Sequence, residues 1–158
     1  MKKVPVTTGL RHIRKLKITF EPFIFEYVEK GGASLSSSLL GEDSKKVIKT
    51  IVIQGQSGNV YIVLMHGDRE VSLKSFARHI NEKSCALCPS EVAKKHTGYE
   101  FGGTSPFGLK RTIPIYGEES IFSLPYIWIN GGKRGFLVKI DPQELKSKLE
   151  VAMVNAQT

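Results

Sequence analysis

The run His96 to Gly108, HTGYEFGGTSPFG, holds four glycines and one proline in thirteen residues and has no apolar periodicity. No helix or strand favours that composition. Glycine serves where the backbone takes positive φ or lies close against another group. Gly102-Gly103 followed by Thr104, Ser105 and Pro106 make a loop whose amides can point at a ligand. A second glycine cluster, NGGKRG at 130–135, lies between two strand-like runs. The third feature is a lysine. In VIKTIVI at 47–53 alternate residues share a face, so Lys49 lies with Ile51 and Ile53. Its ammonium starts from an apolar surface, where a charge is costly unless it is paired or faces an anion. The plainer alternative is a lysine at a strand end whose head reaches water.

The other reactive residues do not assemble into a known set. His12, His66, His79 and His96 are scattered, and no Ser-His-Asp or Cys-His constellation is recognisable. Cys85 and Cys88 form C-x-x-C, but a zinc site needs a second pair of ligands, and Pro89 follows without a thioredoxin-like context. Two small, partly buried thiols are expected. The glycine-loop amides remain as candidate donors to a ligand.

The frame that must position these residues is ordinary in size and composition. A chain of 158 residues, 41% apolar and 24% charged, predicts a single domain spanning residues 1–158. Val4 to Leu10 is too short and too interrupted for a signal peptide, and the apolar run Tyr61–Met65 is far too short to cross a bilayer. A cytoplasmic protein without membrane contact is expected. The net charge is +8, from 23 basic and 15 acidic residues, and residues 1–20 hold Lys2, Lys3, Arg11, Arg14, Lys15 and Lys17 without an acid. Such a block attracts polyanions, although a solvated basic face has the same composition.

Thr7 or Thr8 can cap a first helix to about Leu16, with Leu10, Ile13 and Leu16 on one face. Pro22–Val28 reads as a strand and Ser34–Leu40 as a poor helix. Ile48–Gln54 is a β-branched strand, joined to Val60–Met65 by the turn Gln56-Ser57-Gly58-Asn59. Ser72 caps a helix with Leu73, Phe76, Ala77 and Ile80 facing inward. Another helix opens at Pro89-Ser90 and stops at Gly98. Strands follow near Thr112–Tyr116, Tyr126–Asn130 and Phe136–Ile140. Asp141-Pro142-Gln143-Glu144 starts a last helix to about Met153. The expected class is α+β, a mixed sheet with packed helices.

Three segments in order, KTIVI at 49–53, TGYEFGGTSPFG at 97–108 and NGGKRG at 130–135, together with GDREVSL at 67–73, resemble the YbaK family of aminoacyl-tRNA deacylases. That family is related to the editing domain inserted in bacterial prolyl-tRNA synthetases. The resemblance runs from about Phe25 to the last helix. It implies a mixed α/β fold around a curved sheet and hydrolysis of the ester joining a wrong amino acid to the 3′ end of tRNA. It implies no metal and no cofactor. The family's strand lysine falls on Lys49, and its Gly-x-x-x-Pro loop on Gly102, Gly103, Thr104, Ser105 and Pro106, the implied catalytic set. Tyr27, Thr50, Phe107, Gly108, Asn130, Gly131, Gly132, Arg134 and Leu137 are the implied substrate contacts. The partner is the acceptor end of a mischarged tRNA, with an aminoacyl-tRNA synthetase as a further candidate. The basic N-terminal block and Lys133-Arg134 are suited to phosphates.

Two departures bear on specificity. Family members acting on cysteinyl-tRNA commonly carry an aspartate where this chain has Leu137 and a serine where it has Asn130. Members acting on alanyl-tRNA commonly show Lys-Asn where Lys49-Thr50 stands, and lack the GGTSPFG loop. The expected activity is therefore trans-editing of Cys-tRNA(Pro) or of another small aminoacyl-tRNA. The alternatives are a non-catalytic tRNA-binding module of the same fold and a small-molecule hydrolase using the same pocket.

Overall fold

The computed structural model describes residues 3–158; Lys2 of the basic block lies outside them. Helix α1 (Thr8–Lys15) begins where Thr7 accepts the Leu10 amide with its side chain, and it buries Gly9, Leu10 and Ile13. Strand β1 (Glu21–Ile24) and helix α2 (Gly32–Leu40) follow. The hairpin of β2 (Ile48–Gly55) and β3 (Val60–His66) forms as its β-branched alternation predicts. Helix α3 (Leu73–His79) is capped by Ser72. Next come β4 (Cys85–Leu87) and α4 (Ser90–Thr97), then β5 (Ile115–Glu118), β6 (Ile127–Lys133) and β7 (Phe136–Ile140). Helix α5 (Pro142–Lys148), capped by Asp141, and β8 (Ala152–Val154) complete the chain.

The class is α+β with mixed strand pairing. The sheet forms in two parts. One is three-stranded and antiparallel in the order β1-β7-β6; the other is five-stranded in the order β4-β2-β3-β5-β8. In the larger part β2 runs antiparallel to β3 and β4, while β5 runs parallel to β3 and β8. A single parallel bridge, Val47 to Trp128, joins the two parts. The main core packs Leu10 and Ile13 of α1 against Ile62 and Leu64 of β3, Ile127 and Ile129 of β6, and Phe136, Val138 and Ile140 of β7. Ile53, Tyr61, Val63 and Phe76 form a second cluster on the opposite face of the β2–β3 hairpin. Val47, Trp128 and Leu137 form a third.

Several boundaries differ from the expected ones. The strand expected over 22–28 ends at Ile24, the last residue in register with β7. The strand expected at Thr112–Tyr116 is displaced to Ile115–Glu118, because Pro114 has no amide for the ladder and only its carbonyl is used, by Ile62. The last helix stops at Lys148, not near Met153. Glu150 takes a positive φ of 53° and turns the chain into β8 beside β5. Strand β4 was not expected. It sends Cys85 into the second cluster and Cys88 against the main core, so the two thiols of C-x-x-C lie on opposite faces of the sheet. Both remain half-buried, and burial pushes both thiols up from their ordinary pKa.

Candidate active site

The glycine loop has a buried foundation and an exposed rim. Helix α4 stops at Gly98, which takes the left-handed conformation with φ 82°. In the foundation Ser105 is fully buried, and its hydroxyl accepts the Phe107 amide at 3.1 Å. The Phe107 ring is fully buried in the main core, edge-on to His12 at 5.9 Å. Gly108 takes φ +63° where any Cβ would strike the carbonyl of Thr8, and its amide donates to His12 Nδ1 at 2.9 Å. The Tyr99 hydroxyl donates to the Phe107 carbonyl and accepts from Thr8 at 3.1 Å. Burial raises the Tyr99 pKa. Burial, and after it the nearby Lys15, lowers that of His12.

This foundation places part of the expected site in the core. Ser105 and Pro106, expected among the catalytic residues, and Phe107, expected at the substrate, have side chains buried beneath α1. Gly108 is occupied with α1 in the same way. These side chains fix the loop from beneath.

The rim, exposed at Phe101 and Gly102 and buried at Gly103, joins both glycine clusters. Gly102 takes φ +85°, and a Cβ there would stand 2.8 Å from the Tyr27 hydroxyl. Gly103 donates its amide to the Glu100 carbonyl at 2.9 Å, and its own Cβ would lie 2.8 Å from the Arg134 nitrogen. The Thr104 hydroxyl, half-exposed, reaches the Glu100 carbonyl only at 3.5 Å. Asn130 is the tie between clusters. Its Nδ2 donates to the Gly102 carbonyl at 3.2 Å, while its Oδ1 accepts the amides of Gly132 at 2.6 Å and Lys133 at 3.1 Å. That turn sits at the irregularity in the β6–β7 ladder. Gly131 is buried against the Phe136 ring, and its carbonyl accepts from Thr7; Gly132, at φ +109°, packs against Thr7 and Tyr99. Arg134 donates through Nε to the Phe101 carbonyl at 2.6 Å and lays its guanidinium 5.0 Å from the centre of the Tyr27 ring. The structure thus brings Tyr27, Gly102, Gly103, Asn130, Gly132 and Arg134 together. The amides of Gly102, Thr104 and Ser105 have no hydrogen-bond partner among the described residues.

Lys49 stands on β2 between two apolar clusters. Val47 on its face packs with Trp128, and Ile51 and Ile53 pack into the second cluster. Its ammonium donates to the Arg69 carbonyl and lies 3.3 Å from Glu70 Oε1. The lysine side chain is 24% exposed and the Glu70 side chain 80%. An ion pair with so exposed a partner contributes at most about 1 kcal/mol, so an incoming anion can take Glu70's place. The bridge from Val47 to Trp128 sets β2 beside β6, and two residues further along each strand stand Lys49 and Asn130. No hydrogen bond or ion pair joins Lys49 to either glycine cluster among the described residues.

Two more expected contacts are placed differently. Thr50, expected at the substrate, follows the period of the strand onto the opposite face from Lys49, and its Oγ1 is buried without a partner. Leu137 pairs across the ladder with Asn130, but its side chain is buried against Val47 and Trp128. Glu70, within GDREVSL, is the carboxylate that meets the strand lysine, a pairing that opposite charge makes a usable signal. Thr7 caps α1 and also braces the second glycine cluster. Surface depressions of about 570 and 290 Å³ lie along α3 and β4, away from this assembly. Among the described residues no three His, Cys, Asp or Glu side chains converge as a metal site, and no helix is long and apolar enough to cross a membrane.

The aminoacyl-tRNA editing domain family matches residues 32–148, a span that holds Lys49 and both glycine clusters. The chain belongs to that family. One relative, named as a candidate Cys-tRNA(Pro)/Cys-tRNA(Cys) deacylase, EbsC, of Enterococcus faecalis, is 26% identical over 142 residues, which cover 89% of this editing domain's chain and 87% of the relative. The proline–tRNA ligase of Thermodesulfovibrio yellowstonii is 35% identical over 91 residues, 54% of this chain but only 16% of the ligase. Among solved structures, a hypothetical protein, APE2540, superposes with a TM-score of 0.88 at 20% identity, covering 96% of this chain and 99% of that one. A candidate trans-editing enzyme for prolyl-tRNA synthetase superposes with a TM-score of 0.82 at 19% identity, covering 98% and 99%. At such identities the two structures establish the fold of the editing domain. Tyr27 and α1 lie outside the matched span, yet both contact the glycine clusters within it.

Proposed function

We propose that this editing domain acts in trans as an aminoacyl-tRNA deacylase, hydrolysing the ester between a small, wrongly attached amino acid and the 3′ end of tRNA. The reaction would take place where β2 meets β6. The observation that supports this reading most is the braced rim. Amides of Gly102 and Thr104 without partners stand in a loop fixed by Asn130 and Arg134. Preorganised donors of that kind stabilise a developing oxyanion without reorganising at the moment of reaction. Lys49, released from Glu70, would hold the phosphate of the terminal nucleotide or the developing negative charge. Tyr27, with Arg134 stacked on it, flanks Gly102. Water, or a hydroxyl of the terminal ribose, is the nucleophile, since no protein side chain here is activated as one.

The buried wall behind Asn130 is apolar, with Leu137 and Trp128 in it. A pocket of that kind separates substrates differing by one methylene by only about 1–3 kcal/mol. The proposed substrates are therefore several small aminoacyl-tRNAs, or a preference other than cysteine. A synthetase is proposed as second partner, because relatives of this domain lie within proline–tRNA ligases. The test is a panel of tRNAs charged with cysteine, alanine, serine and proline, alongside the corresponding free aminoacyl esters. Accelerated hydrolysis of more than one small aminoacyl-tRNA is expected. Binding without hydrolysis of any would make the protein a tRNA-binding module instead. Hydrolysis of free esters alone would make it a small-molecule hydrolase.

A further inference from the structure

Phe101 is the most exposed large hydrophobic side chain described, at 75%, and it sits on the rim of the glycine loop, next to Gly102. It is not on a loose segment. Its carbonyl accepts Arg134 Nε, the carbonyl of the next residue accepts Asn130 Nδ2, and the Gly103 amide closes the turn onto Glu100. An aromatic ring is thus presented to solvent on a backbone tied down from both sides. The residue that ties it is a guanidinium already stacked on Tyr27, and Lys133 beside it is exposed. Glu100, the residue before Phe101, carries an exposed carboxylate whose charge is paired with Lys94 at 2.6 Å, which leaves Arg134 and Lys133 as the cations for an incoming phosphate. An exposed aromatic face set among cations is the chemistry that binds single-stranded nucleic acid: the ring stacks on a base and the cations take its phosphates.

We propose that Phe101 is a stacking platform for an unpaired base at the single-stranded 3′ end of the substrate RNA, with Arg134 on the adjoining phosphate. The proposal rests on the reading of the substrate as tRNA and adds the group that grips its end. Stacking is indifferent to base identity, so the platform suits an end common to many tRNAs. It positions the ester beside Gly102 without reading sequence. Phe101 is a positioning residue and touches no reacting atom.

The experiment compares wild type, Phe101→Ala and Phe101→Trp. The first measurement is binding of a short oligonucleotide ending in CCA, and of the same oligonucleotide with abasic terminal positions. Stacking on one base contributes enough that Phe101→Ala should weaken binding of the CCA-ending strand about tenfold. The abasic strand should bind wild type and Phe101→Ala alike. Phe101→Trp should restore affinity, and its indole fluorescence should be quenched by the CCA-ending strand alone. In deacylation the alanine variant should raise KM with kcat nearly unchanged, while hydrolysis of a free aminoacyl methyl ester stays at the wild-type rate. Equal binding of the CCA-ending strand by wild type and Phe101→Ala would overturn the proposal, as would an equal loss for the abasic strand. Unchanged RNA affinity with lost binding to a prolyl-tRNA synthetase would also overturn it and make the platform a protein-docking site. If no aminoacyl-tRNA is hydrolysed but the quenching and the tenfold loss are found, the stacking platform stands and the deacylase reading fails.

Discussion

Lys49 and Gly102 are the residues on which the proposed chemistry depends, and each is set by a local constraint. Lys49 is on the face it occupies because β2 has a period of two, and the same period sends Thr50 away from it. The KT pair is therefore split between two faces, Thr50 turned into the core: adjacency in a motif is not adjacency in a strand. The burial of Ser105 and Phe107 was illegible for a related reason. A glycine-rich loop advertises close backbone approach, but the sequence does not say whether the approach is to a ligand or to the protein's own helix. Gly102 has both reasons to be glycine. Alanine there must take φ +85° and stand 2.8 Å from the Tyr27 hydroxyl. The left-handed conformation alone costs about 1–2 kcal/mol, and Tyr27, a half-buried ring, would be pushed off Arg134. Gly102→Ala is expected to lower the thermal midpoint by a few degrees and kcat/KM by about 10²-fold or more, the loss seen when an oxyanion donor is misplaced. Unchanged kinetics would remove Gly102 from the reaction. Leu137→Asp tests the apolar wall. Burial against Trp128 makes the change destabilising, and the variant that folds should shift its ranking of substrates toward cysteine. An unchanged ranking would separate Leu137 from specificity.

Among the elements, α1 lies outside the matched span of the family, yet it supports the glycine loop. The support runs through His12, whose Nδ1 accepts the Gly108 amide and therefore must be unprotonated. Burial, then Lys15, lowers its pKa from the ordinary value of 6.5. A histidine lowered on folding binds more protons unfolded than folded. Its contribution to stability is complete above the unfolded pKa and declines as pH falls below that value and through the folded one. The thermal midpoint of the wild type should therefore fall between about pH 7 and pH 5, and by less in His12→Asn, which accepts the amide without titrating. Equal falls in both proteins would show that the contact carries no linkage. The elements themselves were legible where alternation or caps were strong, as in the β2–β3 hairpin, α3 and α5. Strands β4 and β8 were not, since three residues are too few to show a period and their place is fixed by pairing with β2 and β5.

At the scale of the whole molecule, the excess of eight positive charges includes the exposed Arg11, Arg14, Lys15 and Lys17 at α1 and Lys133 and Arg134 at the rim. Each phosphate these residues neutralise should add roughly −0.7 to −0.9 to the slope of log K against log salt. Replacing Arg11 or Arg14 by alanine should reduce that slope by about one, alike for all tRNAs. A slope near zero would mean that the basic face is only solvated. The class of fold was legible from the mixture of hairpin and helices. The splitting of the sheet at the Val47–Trp128 bridge was not, because no local pattern marks a bridge between distant strands. That bridge sets β2 next to β6, with Lys49 and Asn130 each two residues beyond it, and the proposed deacylation needs both strands to act on one aminoacyl ester. Single-turnover deacylation of mischarged tRNA by wild type and Lys49→Ala, with both thermal midpoints recorded, decides whether they do. The expected result is rapid hydrolysis by the wild type and a loss of about 10²-fold or more in the variant, with folding unchanged. A variant that is equally stable and hydrolyses the ester at the wild-type rate would contradict the account.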